Sequence, residues 1–329
     1  MPHIDLASAA CRAWMRGEGR LRRLRAMRLA SLALLAAVTL AACASDPSPT
    51  ADAVALPPAV READFVLLGE LHDNVGQHRL RLRWLEQLAD ERRYALALEP
   101  FDADRQEALM QARALDEREA REGEASDLAS RARRLAQAAG FDFEGWRWEL
   151  YRPAIELALR RGLPLVAANL SPADTARVAR AEAPPAPPPP GWGEPEAEAM
   201  RASIRDGHCG LLPERSVDAM ALAQRTRDAR MAQALADAHD ETGLPVVLLA
   251  GNGHVRRDIG VPLHLSALRP HATIVAIGFL ERGDRLAVGE DDAAAGALGH
   301  GRPFDVAVWT EAQPREDPCV ALRARLRRD

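Results

Sequence analysis

Short apolar runs recur along the chain, each ending at a glycine, a proline or a charged residue. They read "DFVLLGE" from Asp64, "YALALEP" from Tyr94, "LPLVAANL" from Leu163, "LPVVLLAG" from Leu244, "TIVAIGFL" from Thr273 and "FDVAVWT" from Phe304. The runs are continuous rather than alternating, as expected of strands buried on both faces of a parallel sheet. Helix-favouring segments separate them. The pattern therefore predicts an α/β fold with a largely parallel central sheet flanked by helices. Two stretches exceed a minimal strand–helix–strand unit. Residues 102–140 are charged and helix-favouring, and residues 214–242 read as one long amphipathic helix. "APPAPPPPGW", Ala183 to Trp192, reads as an extended polyproline excursion. These features predict one domain over residues 61–320, carrying a helical subdomain built from insertions near 102–140 and 183–242. No internal repeat is evident.

The N-terminal region follows a different pattern. "MRLASLALLAAVTLAAC" combines a basic start, an apolar run and small residues before Cys43. The apolar run is short for a membrane span and of signal-peptide length. Residues 1–42 therefore read as a signal-peptide region, with Met27 an alternative start. Leu40, Ala41 and Ala42 resemble a bacterial lipobox, which implies lipidation of Cys43 and a tether over residues 43–60. Ala44 in place of aspartate favours the outer membrane, with the protein facing the periplasm. Removing residues 1–42 deletes seven arginines and two acids, taking the formal charge from −5 to −10. An acidic domain without a basic run is a poor partner for nucleic acid. Of the remaining cysteines, Cys209 and Cys319 can pair in an oxidising periplasm, and two buried free thiols are the alternative.

The candidate chemistry lies where the strands end. Glu70, His72 and Asp73 follow the first run, Glu99 the second, Asn169 the third, and Asn252 and His254 the fourth. Parallel strands put their C-terminal ends on one sheet edge, where open α/β folds bind ligands. Helices that leave this edge add His78, and "WRWELYRP" adds Trp146, Tyr151 and Arg152 as pocket walls. Tyr94 starts a strand and belongs to the opposite edge. Each residue also has a structural role open to it: Glu70 and His72 as a satisfied buried pair, Glu99 as a cap, Asn169 as a turn residue, and His254 in a glycine turn. His208 sits in "DGHCG" without a second metal-ligand motif. Met220 and Met231 are expected in the core, and His239, His264, His271 and His300 at surface or turn positions.

Together "LLGELHDN" with its following histidine, "LALEP", "AANL", "LLAGNGHVRRDIGVPLHL", "GHCG" and the terminal "DPC" resemble the ChaN-like haem-binding uptake lipoproteins. That family sits in a wider group with the erythromycin esterases and the TraB/Tiki proteins. The resemblance covers roughly residues 60–320. It implies an α/β fold with a helical subdomain, an outer-membrane lipoprotein, and haem or a related porphyrin held in a pocket between two subunits or within one. It further implies an iron ligand drawn from tyrosine near histidine, for which Tyr151, His254 and His72 are the candidates, and an outer-membrane haem receptor as a partner.

Two functions then compete. In the first the chain is a lipoprotein that binds haem in iron acquisition, with Trp146 stacking on the macrocycle and Arg152 meeting a propionate. In the second it is an ester or peptide hydrolase. There His72 is the general base, oriented by Glu70 or Glu99, with His254 stabilising charge; a variant places a divalent metal on His72, Glu99 and His254. The aromatic content, 4%, favours the hydrolase. The lipobox and the closer motif match favour haem. A structural envelope lipoprotein with no activity is the third possibility.

Overall fold

A computed structural model of the protein describes residues 55–282 and 302–326. The leader, Met27, Cys43, most of the tether and His300 lie outside the described residues. The strands β1 (Phe65–Leu68), β2 (Ala95–Asp102), β3 (Leu165–Asn169), β4 (Val246–Leu249), β5 (Ile274–Glu281) and β6 (Val306–Thr310) form one sheet in the order β3-β2-β4-β1-β5-β6. Every neighbouring pair is parallel. Each strand matches one of the apolar runs, and the C-terminal ends share an edge.

Strand alternation sorts the core into two layers. Val66, Leu68, Leu96, Leu98, Val247 and Leu249 face α1 (Val75–Glu91) and α4 (Trp148–Arg161), with α2 (Gln106–Glu122) and α3 (Leu128–Ala138) completing that side. Phe65, Leu67, Ala95, Ala97, Val246 and Leu248 face the long α7 (Glu214–Thr242) and, beyond the one-turn α8 (Asn252–Val255), α9 (Val261–Leu268). Alanines of α7, among them Ala232, Ala236 and Ala238, let this 29-residue helix lie close on the sheet. Its N-terminal half runs past the edge, joined by α5 (Pro172–Ala179) and α6 (Glu194–Gly207). A disulfide ties Cys209, just after α6, to Cys319 in α10 (Pro318–Leu326).

Two side chains set aside from the candidate site are placed differently from expectation. His264 is buried in α9 rather than at a surface, because Leu265 beside it is a core position and the helix is apolar nearly all round. Its Nε2 is buried without a hydrogen-bond partner. Burial, reinforced by the charge of Arg225, draws its pKa down to about 4. A histidine whose folded pKa lies below its unfolded value contributes full stability above about 6.5, and this is lost as pH falls toward 4. His264→Leu removes an orphaned nitrogen and a titrating group. The variant is expected to melt at or above the wild-type temperature at pH 7 and clearly above it at pH 5. Parallel melting curves across that range would refute the assignment. Met220 is the second difference: it is only partly buried and lines a cavity rather than the core, whereas Met231 is fully buried.

Candidate functional site at the sheet edge

Continuing the alternation of β1, Glu70 lands on the α1–α4 side of the edge and is 2% exposed. It gathers four side chains. Arg81 of α1 forms a close ion pair with its Oε2, and Tyr151 of α4 donates its hydroxyl to Oε1. His72 Nδ1 lies 2.7 Å from the same Oε1, and His78 Nε2 is 3.6 Å from Oε2. A carboxylate only accepts hydrogen bonds, so Nδ1 of His72 carries its proton and Nε2 holds the lone pair whenever the ring is neutral. The His72 side chain is 49% exposed, although its partner is buried. His78 accepts from Arg81 at Nδ1 and donates from Nε2 to the His72 carbonyl. Burial holds it neutral, with a pKa lowered to about 4. Burial also draws the Arg81 guanidinium down to about 10 and pushes the Tyr151 phenol upward.

On the opposite face Glu99 follows Ala95 and Ala97 toward α7, and the β2–β3 register shifts between Leu98 and Asp102. Its carboxylate accepts from Arg227 at 2.7 Å and from the Gly251 amide at 2.7 Å, and faces His254 Nε2 at 3.1 Å. The other His254 nitrogen is 2.5 Å from Asp228, which is fully buried. Burial pushes the Glu99 carboxyl up. The charge and hydrogen bond of His254, with Arg227, outweigh it and hold Glu99 well below the usual carboxylate range. Burial opposes the His254 charge, but Glu99 and Asp228 together raise its pKa. At Asp228 burial wins, and its pKa is raised. Glu99 and Asp228, facing the two ring nitrogens, favour the protonated form of His254.

The two halves meet at Gly251. A Cβ there would sit 2.9 Å from His72 Nε2 and 3.6 Å from Glu99 Oε2, so only glycine leaves that edge of the imidazole free. Beside them opens a cavity of about 440 Å³, within the range of small-molecule sites. Its walls are largely apolar, with Trp146, Leu170, Pro172, Ile204 and Met220 among them, and Glu99, Asn169, Arg227, Asp102 and Asp142 are its polar lining. Trp146 meets the His72 ring edge-on at 4.8 Å and Tyr151 at 5.5 Å. Phe141, Phe143 and Trp148 extend this aromatic group. Five of the 14 Phe, Trp and Tyr residues of the sequence thus gather in one group beside the site. Burial, with Asp104, Asp142 and Asp174 nearby, pushes the Asp102 carboxyl up to about 6.

The predicted residues fall into three groups. Glu70, His72, His78, Tyr151 and Trp146 assemble on one face, and Glu99, Asn169 and His254 on the other; Asn169 accepts from Arg227 at 3.1 Å. Asp73 and Asn252 serve the frame instead. Asp73 takes a two-pronged ion pair from Arg315, which also clasps Glu281. The Asn252 amide bonds the Phe279 backbone at both N–H and carbonyl, pinning the loop to β5. Arg152 turns toward Glu156 one helical turn on, 3.6 Å away, and does not line the cavity. Trp146 precedes the helix rather than starting it, since α4 begins at Trp148. Tyr94 donates to Leu85 in the core, away from the site. The set His72, Glu99 and His254 is not a metal site, because carboxylates occupy both nitrogens of His254. Among the described residues no group of three or more His, Cys, Asp or Glu is arranged to hold a metal ion. Sequence reasoning missed Arg81, Arg227 and Asp228. The signal for Arg81 was its place three residues after His78, one helical turn along the same face.

A parallel sheet with an apolar-walled cavity and an exposed imidazole at its C-terminal edge defines an α/β ligand-binding domain. Residues 56–265 match the family described as haem-binding uptake, Tiki superfamily, ChaN, and the chain belongs to that family. No curated protein matches the chain. Among solved structures it is similar to ChaN of Campylobacter jejuni, described by its cofacial haem binding, with 23% identity over 67% of this chain and 83% of that one and a TM-score of 0.57. It also matches a mutant of the erythromycin esterase EreC in its open conformation, at 15% identity over 69% and 72% of the two chains, with a TM-score of 0.39.

Proposed function

We propose that this protein binds haem and serves iron acquisition as a lipid-anchored, periplasm-facing protein of the outer membrane. The observation that carries the reading is the half-exposed His72 imidazole, backed by Glu70 and set edge-on against Trp146, a residue that also walls the apolar cavity. A porphyrin needs one face against a flat apolar wall and an axial donor, and these lie side by side here. Family membership supports the same ligand. Cofacial haem, the mode named for the Campylobacter protein, puts two porphyrins face to face. Two copies of this chain meeting at their His72 edges would satisfy it, with a haem-dependent dimer as the expected mark in sedimentation. An outer-membrane haem receptor is the partner such a role implies. Acylation at Cys43 is expected to incorporate labelled palmitate, and Cys43→Ser to abolish it.

The test is a haemin titration of the full chain, purified in detergent from an oxidising compartment. A saturable Soret shift near one haem per chain is expected. A response no greater than that of an unrelated acidic protein would reject the reading. The acidic wall adds a second expectation. Propionates are anionic, and Asp102 is charged above about pH 6. Asp102→Asn should therefore tighten haem binding several-fold at pH 7.5 and much less at pH 5. Equal gains at both values would show that Asp102 does not face the ligand.

The His72–Glu70 pair is also the geometry of a general base, since Nε2 is free to take a proton while Nδ1 is held. Ester or peptide turnover in the absence of haem, lost in His72→Ala, would favour hydrolysis over haem binding.

A further inference from the structure

We propose that a second cavity, between α1 and the start of α4, binds a small carboxylic acid with an apolar body, its carboxylate held by Arg147 and Arg79. The cavity measures about 350 Å³, at the lower end of the range for small-molecule sites. It shares no lining residue with the larger cavity walled by Trp146, and its occupant is independent of haem. The lining is largely apolar, with Leu82 and Leu85 from α1, Leu150 and Pro153 from α4, and Leu249 at the end of β4. Its charged members are Arg79, Arg81, Arg147 and Glu149. Glu70 already neutralises Arg81, which leaves two guanidiniums against one carboxylate. Arg79, Arg147 and Glu149 are exposed, and none of them forms an ion pair among the described residues.

Arg147 stands at the N-cap of α4 and makes no side-chain capping bond. A cation there opposes the helix dipole, and the first turn lacks the side-chain acceptor that Ser, Thr, Asp or Asn would bring. A carboxylate beside Arg147 answers both. Arg147 Nη1 donates to the Asp73 carbonyl at 3.2 Å, which fixes the guanidinium at one nitrogen. Its other N–H groups remain to meet a carboxylate in the paired geometry that suits arginine. Arg81 also lines the cavity, is 1% exposed, and has its Nε buried without a hydrogen-bond partner. An orphaned buried donor costs stability until something accepts from it. Inorganic phosphate suits the arginines equally well, but it leaves Leu82, Leu85 and Leu150 facing water. A carboxylate on a short hydrocarbon body engages both the charged and the apolar parts of the lining.

The experiment titrates hexanoate into the full-length protein by isothermal calorimetry, with the same detergent in cell and syringe, beside acetate, inorganic phosphate and hexanol. Saturable binding near one hexanoate per chain is expected. The other three should bind at least about tenfold more weakly, since each lacks either the carboxylate or the apolar body. Arg147→Ala should weaken hexanoate binding by about tenfold, and Arg79→Ala should act in the same direction. Both arginines are exposed, so these variants are expected to melt close to the wild type. Ala154→Phe, which fills the cavity from α4, should abolish binding. Acetate or phosphate bound as tightly as hexanoate would overturn the apolar body, and hexanol bound as tightly would overturn the carboxylate. Hexanoate binding that survives both Arg147→Ala and Ala154→Phe would lie elsewhere on the protein and refute the site. So would the lack of both saturable heat and any shift of the hexanoate carboxyl resonance in carbon-13 spectra.

Discussion

Glu99→Ala is expected to cost the domain about 3–5 kcal/mol, the usual consequence of removing one partner from a buried ion pair. The carboxylate is 2% exposed and answers three donors: Arg227, His254 and the Gly251 amide. Alanine leaves the Arg227 guanidinium, the His254 ring and the Gly251 N–H without the acceptor they share. Because total stabilities run at about 5–15 kcal/mol, a loss of this size should show as a large fall in the urea midpoint and a partly unfolded population at growth temperature. The pH dependence gives the sign. Glu99 is held well below the usual carboxylate range, so its contribution is present above the unfolded value near 4.5 and is lost only as pH falls through its lower folded value. His254 works the other way: its raised pKa gives stability that is complete below about 6.5 and lost as pH rises through the folded value. Glu99→Ala should therefore flatten the acid limb of the wild-type stability profile. A midpoint shift worth less than about 1 kcal/mol would mean that water reaches the network, since only solvated pairs are that weak.

How far the sequence foretold this site depends on which physical signal each residue carries. Strands buried on both faces announce themselves as unbroken apolar runs, and parallel pairing alone puts Glu70, Glu99, Asn169 and His254 on one edge. The second partners could not be read that way. Asp228 and Arg227 lie within a 29-residue helix whose polar positions look alike along its length. Only the docking of α7 across the edge decides that Met220, Ala223, Gln224 and Arg227 meet the cavity while Met231 and Leu235 meet the sheet. Arg81 is flanked by Arg79 and Arg83, and an alternating "RLRLRW" gives no sign that the middle arginine is 1% exposed. Asn252 misled for the opposite reason. A polar residue in a glycine-flanked strand end suggests a ligand, but the same amide is well suited to satisfy a neighbouring backbone, and at Phe279 it does. Arg152 failed on helical phase, since it follows Tyr151 by one position and so points about 100° away around α4.

Breaking the Cys209–Cys319 disulfide, by Cys209→Ala with Cys319→Ala, should lower stability by roughly 4–5 kcal/mol if the chain-entropy account holds for a loop of 110 residues. The link matters because of where it runs. The C-terminal segment crosses the sheet edge, where Arg315 clasps Asp73 and Glu281, and the bridge then fastens it to the end of α6 in the helical subdomain. Without the bridge the surface-exposed Arg315–Asp73 pair has only the strength of a surface ion pair, roughly 0–1 kcal/mol. The loss should therefore appear first as local opening of this segment. In hydrogen exchange, amides from Thr310 onward and those near Cys209 should lose protection in the double variant, while α1 and the central strands keep theirs. The melting temperature should fall by on the order of 10 °C for a domain of this size. Because the opened segment borders the loop that carries His72, the same variant tests whether the strap matters to the ligand site. Haem affinity that drops with the strap while the fold persists would place the disulfide in service of binding. Unchanged affinity with a lowered melting temperature would leave it a staple of the fold, and an unchanged melting temperature would show that the clasp and the helix packing hold this end without it.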